Sequence, residues 1–307
     1  MCAMPDPAAW VLVNPIAGVR GRPRMGAAVL AQVLERHGWA VQTHVVPTRD
    51  EMTRRARQAA EAGVPVVFVA GGDGSYRAAA QGLVGTATAL GPLPLGSRNV
   101  LARSIGLRPP RPWAWQRSWA RTAARLARGR VVLRRDVGVL NGLVFLSWAG
   151  VGFDAAVVHA LESQRRSARG AVVLRYAWAV VRLLGRWPGF EVRRPPAAGP
   201  QWMWLVLKEP RYAGDLVRLR AAITPDDGRL AVWRVPGQGW QGLLRAAWAW
   251  LWGYARGSTP YLHPLPTPQT WQLAQPQPVH LDGDPLLRTA HLQWEVRARA
   301  LRIWGPG

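Results

Sequence analysis

Lysine is almost missing from this chain. Of its 40 basic residues 39 are arginine, and the single lysine is Lys208, in the stretch LKEP. That excludes a G-K-[ST] phosphate loop and a V-A-I-K kinase strand, each of which needs a lysine in a defined run. Cysteine is as scarce. Cys2 stands alone, so neither a disulfide within the chain nor a cysteine zinc site can form, and the usage fits a reducing compartment. The opening stretch MCAMPDPAAWVLVNP has no basic n-region and no long apolar h-region, so no signal peptide is expected. Acid is short too: 17 Asp and Glu leave a net charge of +23.

So basic a surface calls for anionic partners: nucleic acid, acidic lipid headgroups or phosphorylated substrates. Arginine is spread along the whole chain rather than clustered, so part of the excess reads as a general preference for that residue. With 49% hydrophobic residues and 18 Trp among 307, the composition supports a large core, and the length suggests two domains.

The first third alternates in α/β fashion. Trp10 to Val13 reads as a short strand running into Asn14-Pro15-Ile16-Ala17-Gly18. Met25 to His37 has helical spacing, Trp39 to Val46 alternates like a strand, and Arg49 to Ala62 is an amphipathic helix. The apolar run from Val64 then ends on Gly71-Gly72-Asp73-Gly74-Ser75, followed by a helical stretch to Leu83. This order predicts a parallel sheet with covering helices. Strand, glycine turn and helix N-terminus together make an anion cradle; the same letters also fit a plain tight turn whose Asp caps the helix. A further turn, Pro94-Leu95-Gly96-Ser97-Arg98-Asn99, opens the run Val100 to Ile105.

From about Val131 the texture changes to short strands joined by Gly, Pro and Asp turns, including LVFLSWAGVGFDA, QWMWLVLKEP, ITPDDGRLAV and PVHLDGDPLLRT. This predicts an antiparallel sheet domain, a sandwich. Two apolar helical stretches, 171–187 and 239–256, are interrupted by arginine and too short for good membrane spans. The second carries Trp240, Trp248, Trp250, Trp252 and Tyr254 between arginines. It reads either as a segment lying in a membrane interface or as a tryptophan-rich core helix.

Where acid is rare, its position is informative. Asp73 lies in GGDGS, Asp226 and Asp227 in DDGR, Asp282 and Asp284 in DGDP. Each Asp-Gly pair is also an ordinary hairpin turn. Phosphoryl transfer needs a phosphate cradle, a divalent metal and a carboxylate that takes the acceptor's proton. The glycine turns supply the first requirement. The carboxylates can supply the others, an Asp-Asp-Gly turn suiting a Mg²⁺-type cation.

In order, Asn14-Pro15-x-x-Gly18, Gly71-Gly72-Asp73-Gly74-Ser75, Pro94-x-Gly96-Ser97-x-Asn99-x-x-Ala102-Arg103 and Asp282-Gly283-Asp284 resemble the diacylglycerol kinase catalytic-domain family. That family holds bacterial lipid kinases and the sphingosine and ceramide kinases, and the likeness runs over nearly the whole chain. It implies a phosphofructokinase-like α/β domain over 8–130, a β-sandwich for substrate or lipid over 131–290, and a 291–307 segment returning to the first domain. The ATP site is implied in the cleft between them. By position, Asn14, Pro15 and Gly18, Thr48, Gly71, Gly72, Asp73, Gly74, Ser75, Arg77, Gly96, Ser97 and Asn99 would serve the nucleotide. Asp227 would ligate a structural Mg²⁺ with backbone carbonyls near Thr224 and Arg229. Asp284 would be the general base, and Asp73 would organise phosphates and metal.

The implied activity is ATP-dependent phosphorylation of a membrane lipid, diacylglycerol first. The implied setting is cytoplasmic, with peripheral contact at the inner face of an anionic membrane. A homodimer fits family habit, and no specific nucleic-acid partner is expected. A soluble acceptor, as in the related NAD kinases, and a non-catalytic binder of anionic lipid or nucleic acid are the alternatives. Five positions depart from the family pattern. Ser75 and Ser97 replace threonines, Tyr76-Arg77 stands where Leu-Asn or Val-Asn is common, and Asp284 replaces a glutamate. The last shortens the base by one methylene, on the order of 1 Å, a displacement that can cost ~10²-fold in rate.

Overall fold

The computed structural model describes residues 8–17, 22–96, 99–107, 115–164, 172–197, 199–209, 211–212, 217–219, 223–256 and 259–306. The chain forms two compact units, Met1–Asp136 with Arg299–Gly307, and Val137–Ala298. Unit 1 contains β1 (Ala8–Val13), α1 (Arg22–Arg36), β2 (Ala40–Val45), α2 (Arg49–Glu61), β3 (Val66–Gly71), α3 (Asp73–Leu83), β4 (Ala89–Pro94), α4 (Val100–Ser104) and α5 (Trp115–Ala127). β5 (Arg130–Leu140) then leads into unit 2. There lie β6 (Leu143–Phe145), β7 (Trp148–Gly152), α6 (Phe153–Gln164), α7 (Val172–Leu184), β8 (Val192–Arg194), β9 (Gln201–Leu207), β10 (Arg211–Tyr212) and β11 (Val217–Arg218). After β12 (Leu230–Pro236) come α8 (Gly239–Arg256), β13 (Leu262–Leu265), β14 (Gln269–Gln277), β15 (Val279–Leu281) and β16 (Asp284–Pro285). β17 (Thr289–Gly305) begins in unit 2 and ends in unit 1.

In unit 1 the strands run β2-β1-β3-β4-β17, all parallel, the end of β17 pairing Arg302 with Ala89 and Ile303 with Leu90. β3 and β4 are buried along their whole length, as expected of central parallel strands covered on both faces, whereas β2 is an exposed edge. Phe68 sits opposite Gly91 in the β3–β4 register. A Cβ added to Gly91 would lie 2.4 Å from Phe68 Cδ1, so the missing side chain is what admits the ring. Trp304, near the end of β17, donates its indole N–H to Leu126 O at 2.8 Å and so ties that strand to the last turn of α5.

Unit 2 holds a six-stranded antiparallel sheet, β13-β12-β9-β7-β15-β16. A second layer includes β8, β14 and the first half of β17, with β6 paired to the end of β5. Between the layers lies one apolar core: Ala149, Val206, Val232 and Leu281 from the first, Leu140, Phe145, Leu273 and Leu292 from the second. Aromatic rings thread it, with Trp204 4.5 Å from Trp271 and Trp271 5.4 Å from Trp294 between centroids. The predicted α/β domain and antiparallel sandwich are both present. One local expectation changes: the run GVGFDA does not continue as strand, because α6 begins at Phe153.

The tryptophan-rich helix α8 is inverted relative to an ordinary core helix. Its buried positions are Gly242, Ala246, Ala249 and Gly253, one stripe at helical spacing. A Cβ on Gly242 would meet Trp202 Cγ at 2.0 Å, so only a bare backbone fits there. Trp240, Leu244, Trp248, Leu251 and Trp252 face outward, 40–66% exposed. Beside α8 runs α7, which exposes Trp178 and Val181. Among the described residues no helix is long and apolar enough to cross a membrane.

Gly91→Ala is expected to destabilise unit 1 by ~1–3 kcal/mol through overpacking. In a Phe68→Leu background the same change should cost measurably less, as a double-mutant cycle of denaturant midpoints will show.

Candidate active site

Parallel α/β sheets offer ligands the loops at the carboxyl ends of their strands. In unit 1 those loops carry the residues singled out from sequence. The backbone N–H of Asn14, just past β1, bonds Ala70 O of β3 at 3.0 Å, and the Asn14 amide donates to Ser75 Oγ at 2.9 Å. Its carbonyl in turn accepts Ile16 N at 3.1 Å. Asn14 and the end of β3 therefore meet at the start of α3, with Pro15 next along the chain. Gly18 lies outside the described residues.

Gly71 O is the hub of the site. It accepts Leu95 N at 2.8 Å, Gly96 N at 3.1 Å and the Tyr76 hydroxyl at 3.0 Å, binding the end of β3 to the turn after β4. Gly72 caps α3 in extended conformation, without a side-chain cap bond, so Asp73 occupies the first helical turn rather than the cap. The first N–H groups of a helix fall outside its ladder, and here they belong to the run Asp73-Gly74. A Cβ on Gly96 would stand 2.7 Å from Gly72 Cα, and one on Gly72 3.0 Å from Gly96 Cα. The two turns touch backbone to backbone.

Asn99 holds the second turn from within. It is fully buried in the left-handed region, φ 50 and ψ 49. Its carbonyl oxygen accepts Gly96 N at 2.9 Å, and its amide donates to Gly96 O at 2.5 Å. Ser97 is outside the described residues. Thr48 lies past β2 and acts as the N-cap of α2, its hydroxyl accepting Glu51 N at 3.2 Å.

In unit 2 the carboxylates are built into backbone. Asp282 and Gly283 form a tight turn with φ of 51 and 83, both positive as the two-residue hairpin requires. The Asp282 carboxylate accepts Leu146 N and Ser147 N at 2.8 Å and Trp148 N at 3.1 Å, clamping the hairpin to the start of β7. Asp284 follows, paired with Leu281 and 5% exposed. A buried pair sits on this hairpin: His280 and Asp154 Oδ2 are 2.5 Å apart at the histidine's Nε2. Gly283 N donates to His280 Nδ1 at 3.3 Å, so Nε2 carries the proton and donates to Asp154.

Asp227, Thr224 and Arg229 gather around a cation of the chain's own. Asp227 accepts Thr224 N at 2.7 Å and Arg229 N at 2.9 Å. Lys208 Nζ stands 2.6 Å from Asp227 Oδ1 and 2.8 Å from Arg229 O. Burial pushes the Asp227 carboxyl up, but the bonds from Lys208, Thr224 and Arg229 and the lysine's charge outweigh it and hold the group low. These residues do not fit a divalent cation, because an ammonium already takes the carboxylate and the carbonyl that would bind it. Among the described residues no cluster of three His, Cys, Asp or Glu could hold a metal.

Residues 8–131, which span the first unit's loops, match the diacylglycerol kinase catalytic domain. The match covers the N-terminal part of the chain. The chain is 26% identical over 300 residues to a "Probable lipid kinase YegS-like" of Pseudomonas putida, covering 94% of each. It is also 27% identical over 164 residues to a diacylglycerol kinase of Bacillus subtilis, covering 53% of this chain and 51% of that one. A crystal structure of a diacylglycerol kinase from Bacillus anthracis superposes with a TM-score of 0.67 at 16% identity, over 98% of this chain and 97% of that one; at such identity it speaks for the fold.

Sequence reading missed three contributors. Tyr76 braces Gly71 O from inside, its phenol held protonated by burial and then by the charge of Asp73. Its departure from the family's usual Leu or Val was the available signal. Lys208 was visible as the lone lysine, but its partner Asp227 is 19 residues away. The Asp154–His280 pair spans 126 residues, and only the sheet register joins it. Arg77 is buried on α3.

Asn99→Ala is expected to cost about 2–4 kcal/mol, from the left-handed conformation and the two lost bonds. Asn99→Gly keeps the conformation and should be about 1 kcal/mol milder in chemical denaturation.

Proposed function

We propose that the protein is an ATP-dependent lipid kinase that transfers the γ-phosphoryl group to a hydroxyl of a membrane lipid, diacylglycerol above others. The observation that carries this reading is that the stretch matching the diacylglycerol kinase catalytic domain contains all the converging glycine turns. The names of the related lipid kinases support the acceptor class.

Glycines at 71, 72, 74 and 96 let backbone N–H groups approach phosphate oxygens, with the start of α3 facing the negative charge. Asn14 and Ser75 keep the first turn in place, and Asn99 the second. Asp73, half-buried in the first turn of α3, offers the single carboxylate that a nucleotide-borne Mg²⁺ commonly takes beside its phosphate ligands. Such an ion, when bound, neutralises phosphate charge. The lipid hydroxyl oxygen forms the new bond to the γ-phosphorus as the bond to the β-bridging oxygen breaks. ADP leaves, and the hydroxyl proton passes to Asp284. Buried on a hairpin that Asp282 clamps through its backbone bonds, Asp284 has little freedom.

The outward face of α8 and α7 supports a membrane setting. Exposed tryptophans and leucines on a single helix face are the composition of an interfacial segment. Arg182, Arg245 and Arg256 are exposed on the same two helices, and Arg256 lies over the Trp252 ring at 5.0 Å. Such cations favour anionic headgroups.

With γ-labelled ATP, Mg²⁺ and mixed micelles containing diacylglycerol, label is expected in the organic phase. Asp284→Asn should reduce it by ~10²-fold or more without loss of nucleotide binding. Label confined to water-soluble product would overturn the lipid reading. In vesicle sedimentation, binding should require anionic lipid and fall as salt rises. The double change Trp248→Ser, Trp252→Ser should weaken it at least ~10-fold without altering the melting curve. Equal binding to neutral vesicles would refute the electrostatic part.

A further inference from the structure

Lys208 is the one basic position at which this chain does not use arginine, and its side chain is 0% exposed. A buried ammonium is costly unless carboxylate or carbonyl oxygens surround it. The fold delivers them. β9 pairs with β12, Leu207 opposite Ala231, so the residue after β9 falls beside the turn that precedes β12. Lys208 is anchored there by its own N–H, which bonds Ser147 O at 2.8 Å. Its Nζ then meets Asp227 Oδ1 and Arg229 O, while the same carboxylate also takes the N–H groups of Thr224 and Arg229.

A carboxylate oxygen plus a backbone carbonyl in an Asp-Asp-Gly turn is a donor set for a hard cation. A compact ammonium with three donors can occupy such a position as a point charge. A planar guanidinium cannot, since its donors are spread over a rigid fork. This is a physical reason for the sole lysine in a chain otherwise given to arginine.

We propose that Lys208 is a tethered cation that takes the place of a divalent metal at the 224–229 turn, so that unit 2 folds without metal there. This inference is independent of which acceptor is phosphorylated, since the turn is tested without nucleotide or lipid.

The test compares melting curves in EDTA and in millimolar Mg²⁺, Ca²⁺ or Mn²⁺, with no nucleotide present, and counts bound Mn²⁺ by electron paramagnetic resonance. The wild-type midpoint should not move between EDTA and divalent ion beyond the shift shown by Asp227→Asn. Lys208→Ala should melt lower by roughly 10 °C, as for a broken buried ion pair. It should recover part of that loss in divalent ion and gain a bound Mn²⁺ that Asp227→Asn removes. Lys208→Met, which fills the space, should melt lower and show no rescue. If Lys208→Ala does not fold, Lys208→Met with Asp227→Asn tests the pairing: the neutral double variant should melt above Lys208→Met alone. A wild-type midpoint raised by divalent ion through Asp227 would overturn the proposal. So would a Lys208→Ala protein that melts like wild type.

Discussion

Gly71 O accepts three donors from two directions, and next to it the α-carbons of Gly72 and Gly96 leave no room for a side chain. Much else in unit 1 follows from that contact. Because two turns must touch backbone to backbone, both need glycine. Because β3 and β4 are fully paired up to Gly71 and Pro94, the turns leave the sheet at the same level. Asn99 bonds back to both backbone groups of Gly96 from a left-handed conformation that asparagine tolerates better than most. The glycine-turn site is thus a consequence of sheet register as much as of its own letters.

In the second unit the governing fact is scarcity of acid. Asp282 accepts three backbone N–H groups, Asp227 two backbone N–H groups and an ammonium, and Asp154 the proton of His280. Asp136, on β5 in unit 1, likewise accepts Arg299 N at 2.7 Å, at a residue with φ 50. In a chain of net charge +23 these carboxylates are structural acceptors first. Asp-Gly pairs that pattern reading divides between hairpin turns and chemistry serve as turns, with Asp284 set beside one of them for the chemistry proposed.

The chain's order of motifs and its hydrophobic periodicity determined a great deal by themselves. The alternation over the first third predicts a parallel sheet because a fully buried strand and an amphipathic helix leave unmistakable periods. The glycine turns show where the backbone must come close to something, and the short strands with Asp-Gly turns announce the antiparallel layer. Local chemistry of this kind is written in neighbours along the chain. It also marks Lys208 as an oddity without saying what the oddity is for.

Tertiary structure decided what depends on distant partners. Whether α8 buries or displays its tryptophans turns on Trp202, which fills the space beside Gly242 and leaves the large side chains outside. Periodicity alone cannot see this, since both faces of the helix are apolar. The identity of the cation at Asp227 depends on β9 pairing with β12, and the His280 tautomer on Gly283 N and on Asp154 across the sheet. Sequence determined which segments pack and which turns are tight, because those follow from each residue's own solvation and backbone freedom. Which charges meet inside required the fold, because pairing strength depends on separation in space, and separation along the chain carries almost none of it.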